Sequence, residues 1–209
     1  MTLDPSRPTL VVFAKAPVLG TVKTRLAAGI GEAQALALYR HCLRRTVREL
    51  ADPRWRTVLA VTPDGSAKAG DLWPEGPDRI AQGGGDLGVR MMRPLAQAVP
   101  EAPVVLVGSD IPGIGKAHVE RAFGALHVKP MVFGPALDGG FYMVGARDRP
   151  PPDLFAGVEW STDRVLAEVT ARLLGDGFAL IETLEDLDDL ASLERHRAAG
   201  RLPASGETA

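Results

Sequence analysis

The residues best placed to do chemistry lie near the start of the chain. Lys15, Pro17, Gly20, Lys23, Thr24 and Arg25 follow the apolar run Leu10 to Phe13. That run is short, β-rich and free of charge, so it reads as a strand buried on both faces. Pro17 and Gly20 stop the strand and shape a loop. Fixed positive charge and free backbone N–H groups at the carboxyl end of a parallel strand suit an anion, and phosphate is the obvious one. The glycine–lysine spacing of a Walker A loop is absent. Single lysines and arginines after a strand are ordinarily solvated. Here three of them cluster beside a strand that must be central, which favours a site.

Three further groups carry candidate chemistry. Asp110 follows the apolar run Val104 to Val107, in Gly108-Ser109-Asp110-Ile111-Pro112. An acid at the end of a buried parallel strand is where α/β folds put metal ligands and catalytic groups; the bland alternative is a turn aspartate. Gly83, Gly84 and Gly85 let a backbone approach a ligand closely, or serve as a connector. Arg90 and Arg93 beyond them are within reach of a phosphate or a carboxylate, but solvation is the safer reading for each. Asp138, in Leu137-Asp138-Gly139-Gly140, is either the residue that a chain reversal demands or a substrate contact. Asp186, Asp188 and Asp189 suggest a metal cluster at first sight, but acids at a helix N-terminus explain them better. No protein nucleophile stands out: Cys42 falls within a helical pattern as a small buried thiol, and no Ser–His pair is evident.

The elements that must position these residues form an α/β pattern. Helices are expected over Gly31 to Leu50, Leu87 to Ala98, Lys116 to Leu126, Ser161 or Thr162 through Leu174, and Leu184 to Arg197, the last capped by Thr183 and Asp186. Strands are expected at Arg56–Val61, Arg79–Gln82, Met131–Phe133, Phe141–Val144 and Phe178–Ile181. The reversal at Asp138-Gly139-Gly140 places one antiparallel strand in an otherwise parallel sheet. The proline-rich stretch Arg147 to Gly157 reads as too polar and stiff for the core, and as a flap over a pocket. The tail from Leu202 is expected to fray.

The chain has 209 residues and a formal net charge of −2, enough for one sizeable α/β domain or at most two small ones, read here as a single domain over 1–209, and with no broad basic surface for nucleic acid. No apolar run approaches the ~20 residues of a membrane helix, and Met1 to Pro8 lacks the apolar core of a signal peptide, so a cytoplasmic location is the expectation.

Several motifs together resemble a known family. They are Phe13-Ala14-Lys15-Ala16-Pro17 with Gly20 and Lys23-Thr24-Arg25-Leu26, Gln82 to Gly88, Gly108-Ser109-Asp110, Leu137 to Gly140, and Trp160-Ser161-Thr162. The chain resembles the bacterial glycosyltransferase-like family DUF2064, within the nucleotide-diphospho-sugar transferase (GT-A) superfamily that also holds molybdenum-cofactor and phospholactate guanylyltransferases. The resemblance implies a three-layer α/β/α sandwich, Rossmann-like, with a mostly parallel sheet. It implies that Lys15, Gly20, Lys23, Thr24 and Arg25 hold nucleotide phosphates and that Gly83 to Gly85 lie by the base or ribose. Asp110 matches the superfamily's metal-binding aspartate, although Pro112 stands where a second acid belongs. Near the last helix the family's Asp-x-Asp-Thr becomes Leu180-Ile181-Glu182-Thr183, so Glu182 is the remaining partner for a single Mg²⁺ or Mn²⁺ on Asp110. Asp138, Gly139, Trp160 and Ser161 are expected to frame an acceptor. Lys23 and Asp110 are the expected catalytic pair. The implied activity is glycosyl transfer from a nucleotide-sugar to a small-molecule acceptor; the alternatives are nucleotidyl transfer to a phosphorylated acceptor and silent nucleotide binding.

Overall fold

The computed structural model describes residues 3–4, 6–173 and 175–203. In chain order the elements are β1 (Thr9–Lys15), α1 (Thr24–Ile30), α2 (Glu32–Leu50), β2 (Arg56–Thr62), β3 (Asp78–Ala81), α3 (Leu87–Leu95), β4 (Val104–Gly108), α4 (Lys116–Leu126), β5 (Met131–Pro135), β6 (Phe141–Ala146), α5 (Val165–Thr170), β7 (Phe178–Leu180) and α6 (Leu190–Ala198). They build a seven-stranded sheet in the order β3-β2-β1-β4-β6-β5-β7. Strand β6 runs antiparallel to β4 and β5, and the other pairs are parallel. The antiparallel strand therefore enters at the Asp138-Gly139-Gly140 reversal, as expected.

Alternation along β1 sets the layers. Leu10, Val12 and Ala14 pack on one face with Leu43 and Val47 of α2 and Val119 of α4. Val11 packs on the other with Met91 and Leu95 of α3 and Val165 and Val169 of α5. A third cluster, holding Leu26, Leu38, Leu187 and Leu193, joins α1, α2 and α6 at one edge. The result is the expected α/β/α sandwich. Strand order reverses between β1 and β4, because β2 and β3 lie to one side of β1 and the later strands to the other. The carboxyl ends of β1 and β4 thus flank the crevice where such sheets bind ligands.

Four expectations need correction. Helix α1 carries no sequence signal: it is seven residues long, and Leu26 is its one buried side chain, too little for a periodic pattern. The last helix starts at Leu190 rather than Leu184. Residues 184–187 spend their backbone groups elsewhere, since Leu184 N–H donates to Pro135 and Leu187 N–H to the Asp110 carbonyl. Asp189 is the cap, accepting from Ser192 N–H at 2.8 Å. Helix α5 begins at Val165, without a side-chain cap from Ser161 or Thr162; Leu174, its expected end, lies outside the described residues. Finally, the proline-rich stretch does enter the core, because Leu154 and Phe155 are buried against α3 and α5. At the C-terminus Leu202 is buried, and Ala204–Ala209 lie outside the described residues.

The layering predicts a sharp contrast in chemical unfolding. Leu10→Ala, at a fully buried position, lowers the unfolding free energy by ~2–5 kcal/mol. Val128→Ala, where the side chain is 75% exposed, stays within ~0.5 kcal/mol of the parent chain. Urea titration followed by circular dichroism checks both, and equal effects would contradict the assigned core.

Candidate functional site

Three chain segments meet at the β1/β4 crevice. The loop after β1 runs from Ala16 to Lys23, with Ala16 N–H bonded to the Thr62 carbonyl at the end of β2. Lys23 ends that loop in the left-handed region (φ 50°), which L residues rarely occupy. This conformation turns its side chain inward, where it is only 7% exposed and ion-paired with Asp110. Asp188 lies 4.0 Å from the same ammonium and pairs with Arg25 at 2.7 Å. Burial pushes the Lys23 pKa down, but Asp110 and Asp188 outweigh it and leave the ammonium more firmly charged than usual.

The strand end itself is pinned by a residue absent from the expected set. The Tyr39 hydroxyl accepts from Lys15 N–H at 2.9 Å and donates to the Lys15 carbonyl at 2.8 Å. Ser109 Oγ stands 3.4 Å from it. Burial raises this phenol to about 12, so it stays neutral. The Lys15 ammonium bends back to the Thr21 carbonyl at 2.7 Å and closes the loop.

Two connected lobes open from this point, sharing Phe13, Leu87 and Asp110. The first, about 420 Å³, is basic: Lys15, Lys23, Arg25 and Arg90 line it, with Thr24, Tyr39, Gln82 and Asp188. The second, about 290 Å³, is lined by Phe141, Trp160, Met91 and Ser161, with the carboxylates Asp110, Asp138 and Asp186. Among the described residues no lysine or arginine lines it. Its rim is stitched by Leu166 N–H, which donates to the Gly139 carbonyl. Gly139 has φ +87°, and a Cβ there would stand 2.0 Å from the Asp163 carbonyl oxygen. Only glycine lets the Asp138 turn seat against that segment. Ser161, like Lys23, is left-handed (φ 66°). Strained residues that cluster at one crevice point to function there.

The expected residues divide as follows. Lys15, Lys23, Thr24, Arg25 and Asp110 come together in the first lobe, and Asp138, Trp160 and Ser161 in the second. Gly20 shapes the loop at φ +74° without lining either lobe. Gly83, Gly84 and Gly85 line neither lobe. The residues beside them reach the first lobe instead: Gln82 is buried and donates to Ala60, while Arg90 donates to Gln82 Oε1 at 2.8 Å. Arg93 is not a solvated side chain, because it bonds the Gln82 and Gly84 carbonyls and ties down the glycine turn.

Glu182 is a clear departure. Its carboxylate pairs with Arg121 of α4 at 2.8 Å and lines neither lobe, so it is not brought to Asp110. The acids expected at a helix N-terminus take that place. Only Asp189 caps α6, whereas Asp186 and Asp188 face the crevice. The acid cluster was visible in the sequence; the Leu187–Asp110 hydrogen bond that aims it was not. Burial raises the Asp186 carboxyl to about 6, with Asp110, Asp138 and Asp188 adding to the rise and Lys23 opposing it. Among the described residues no three His, Cys, Asp or Glu side chains stand close enough to hold a metal ion as they are.

Asp186 makes the folded chain bind a proton more tightly than the unfolded one, so stability falls as pH rises through about 4 to 6. Asp186→Asn should therefore melt higher than the parent chain at pH 7.5, by ~1–2 kcal/mol given the solvent that reaches the group. The difference should shrink as pH falls below about 6 and vanish well below 3.8, where the acid is protonated in the folded and the unfolded chain alike. Thermal denaturation across that range checks it, and a pH-independent difference would contradict the burial of this acid.

The fold recurs in solved structures. A Desulfovibrio desulfuricans G20 protein, named as a candidate nucleotide-diphospho-sugar transferase, superposes with a TM-score of 0.81 at 27% identity, over 98% of this chain and 92% of its own. The 4-diphosphocytidyl-2C-methyl-D-erythritol synthase of Anaerococcus prevotii DSM 20548 gives 0.58 at 10% identity, over 95% and 97%. Rv0371c of Mycobacterium tuberculosis H37Rv, solved in complex with manganese, gives 0.51 at 17% identity, over 92% and 98%. No curated protein matches the chain. These likenesses confirm the Rossmann-like nucleotide-diphospho-sugar transferase fold. The family described as "Uncharacterized protein conserved in bacteria (DUF2064)" matches residues 46–162, more than half of the chain, and the chain belongs to that family.

Proposed function

We propose that the chain is, over its whole length, a nucleotide-dependent glycosyltransferase that takes a nucleotide-diphospho-sugar and a small-molecule acceptor. The observation that carries this reading is the separation of charge between the two lobes. The cations that line the crevice gather in the first lobe, where a diphosphate needs them. The second lobe offers Trp160, Phe141 and three carboxylates. Aromatic faces and carboxylate acceptors suit the C–H faces and hydroxyls of a neutral sugar. They repel a phosphorylated acceptor. The name carried by the Desulfovibrio desulfuricans relative points the same way.

The residues would divide the work simply. Leaving of the nucleoside diphosphate develops negative charge on its terminal oxygen. Lys23 and Lys15 would stabilise that charge in a crevice walled by Phe13 and Leu87. Asp138 would orient sugar and acceptor hydroxyls and stand ready to take the proton of the attacking one. The acids facing the crevice offer oxygen donors alone, a donor set that fits a hard divalent cation in chemistry. Asp110 and Asp186 would hold Mg²⁺ or Mn²⁺, which supplies further neutralisation of the diphosphate.

Nucleotidyl transfer is the second reading, favoured by the number of cations in the first lobe. Two of them, Lys23 and Arg25, are already paired with carboxylates, which suits a diphosphate better than a triphosphate. Calorimetry with nucleoside diphosphates, nucleotide-sugars and triphosphates, each with Mn²⁺, tests the choice. A nucleotide-sugar should bind more tightly than its own nucleoside diphosphate. Trp160→Ala should erase that advantage and leave diphosphate affinity within ~twofold, because it removes contact in the sugar lobe alone. Preference for a triphosphate, with pyrophosphate released on addition of sugar phosphates, would establish the second reading instead.

A further inference from the structure

Lys23 and a divalent cation need the same carboxylate. The Lys23 ammonium is buried against Asp110 and sits 4.0 Å from Asp188. Its backbone is fixed, since its carbonyl accepts from Ala27 N–H to start α1 and its φ is left-handed. Only the side chain is free to move. Asp110, 29% exposed, presents its carboxylate at the junction of the two lobes, so a cation that reaches it meets this ammonium at close range. Two positive charges on one carboxylate repel strongly where solvent is scarce. A phosphate in the first lobe changes the balance, because it gives the ammonium another anion within the sweep of the same side chain.

We propose that Lys23 competes with the divalent cation for Asp110, so that the metal binds well only when nucleotide phosphates draw the lysine off. Lys23 is then a gate on metal loading as well as a phosphate contact. Nucleotide and metal enter as a coupled pair, each strengthening the other by the same factor. The metal half of this inference rests on the carboxylate site of the proposed transferase, but the competition is measurable without nucleotide.

The test titrates MnCl₂ into the full chain and follows free Mn²⁺ by electron paramagnetic resonance. Lys23→Asn removes the charge and tolerates the left-handed backbone; Lys23→Gly does the same with no side chain. Both should bind Mn²⁺ alone about tenfold more tightly than the parent chain, an ordinary size for site coupling. Adding Asp110→Asn to either should abolish the gain. In the parent chain, UDP, GDP, CDP or ADP should tighten Mn²⁺ binding by a larger factor than in Lys23→Asn. Equal or weaker Mn²⁺ binding by the Lys23 variants overturns the proposal, as does a gain that survives the loss of Asp110. Tight Mn²⁺ binding by the parent chain without nucleotide also overturns it, whether or not the variants fold. Failure of every nucleotide to bind, with the metal gain intact, defeats the transferase reading and leaves the competition standing.

Discussion

The arrangement depends on one buried contact, the ion pair between Lys23 and Asp110 at the mouth of the β1/β4 crevice. Its stability does not explain its presence. A left-handed backbone costs an L residue ~1–2 kcal/mol, and burying an ammonium forfeits its hydration. Coulombic attraction between such partners, ~4 kcal/mol at an effective dielectric of about 20, goes largely to offset those costs. Beyond that balance, the pair positions chain segments. Lys23 brings the loop after β1 against the end of β4, and Asp110 also receives Leu187 N–H from the segment before α6. One carboxylated residue thereby holds three segments that are far apart in sequence.

The two lobes follow from the sheet. A strand-order reversal at β1 and β4 opens a crevice at their carboxyl ends. The loop after β1 supplies cations to one side of that crevice. The antiparallel strand β6 supplies the other side, because its incoming turn carries Asp138 and Gly139 to the same end of the sheet. The docking of Gly139 on the segment of Ser161 and Asp163 then encloses an aromatic and acidic lobe beside the basic one. Charge separation across Asp110 is thus a product of topology, and it distinguishes a diphosphate end from a neutral, hydroxyl-rich end.

Much of this was legible in the sequence, and the reasons are physical. Apolar runs such as Leu10 to Phe13 and Val104 to Val107 announce buried strands, and the Asp138-Gly139-Gly140 turn announces the reversal. The cations around Lys23 announce an anion site, since charge packed beside a buried strand needs a reason. Tertiary hydrogen bonds were not legible. Residues 184–187 have helical composition, yet their N–H groups pair with Pro135 and Asp110. That pairing moves Asp186 and Asp188 from a supposed helix cap to the crevice, while Glu182 goes to Arg121. Tyr39 gives no signal for the same cause, since it bonds the backbone of Lys15 on another element, and no periodic pattern encodes such a partner.

The most direct measurement is a crystal structure of the chain soaked with a nucleotide-diphospho-sugar and Mn²⁺. The diphosphate should lie in the lobe of Lys15 and Lys23, with a phosphate oxygen on the Lys23 ammonium and the sugar between Trp160 and Asp138. A diphosphate bound away from Lys23, or a phosphate seated among Asp138, Asp186 and Trp160, would contradict the account.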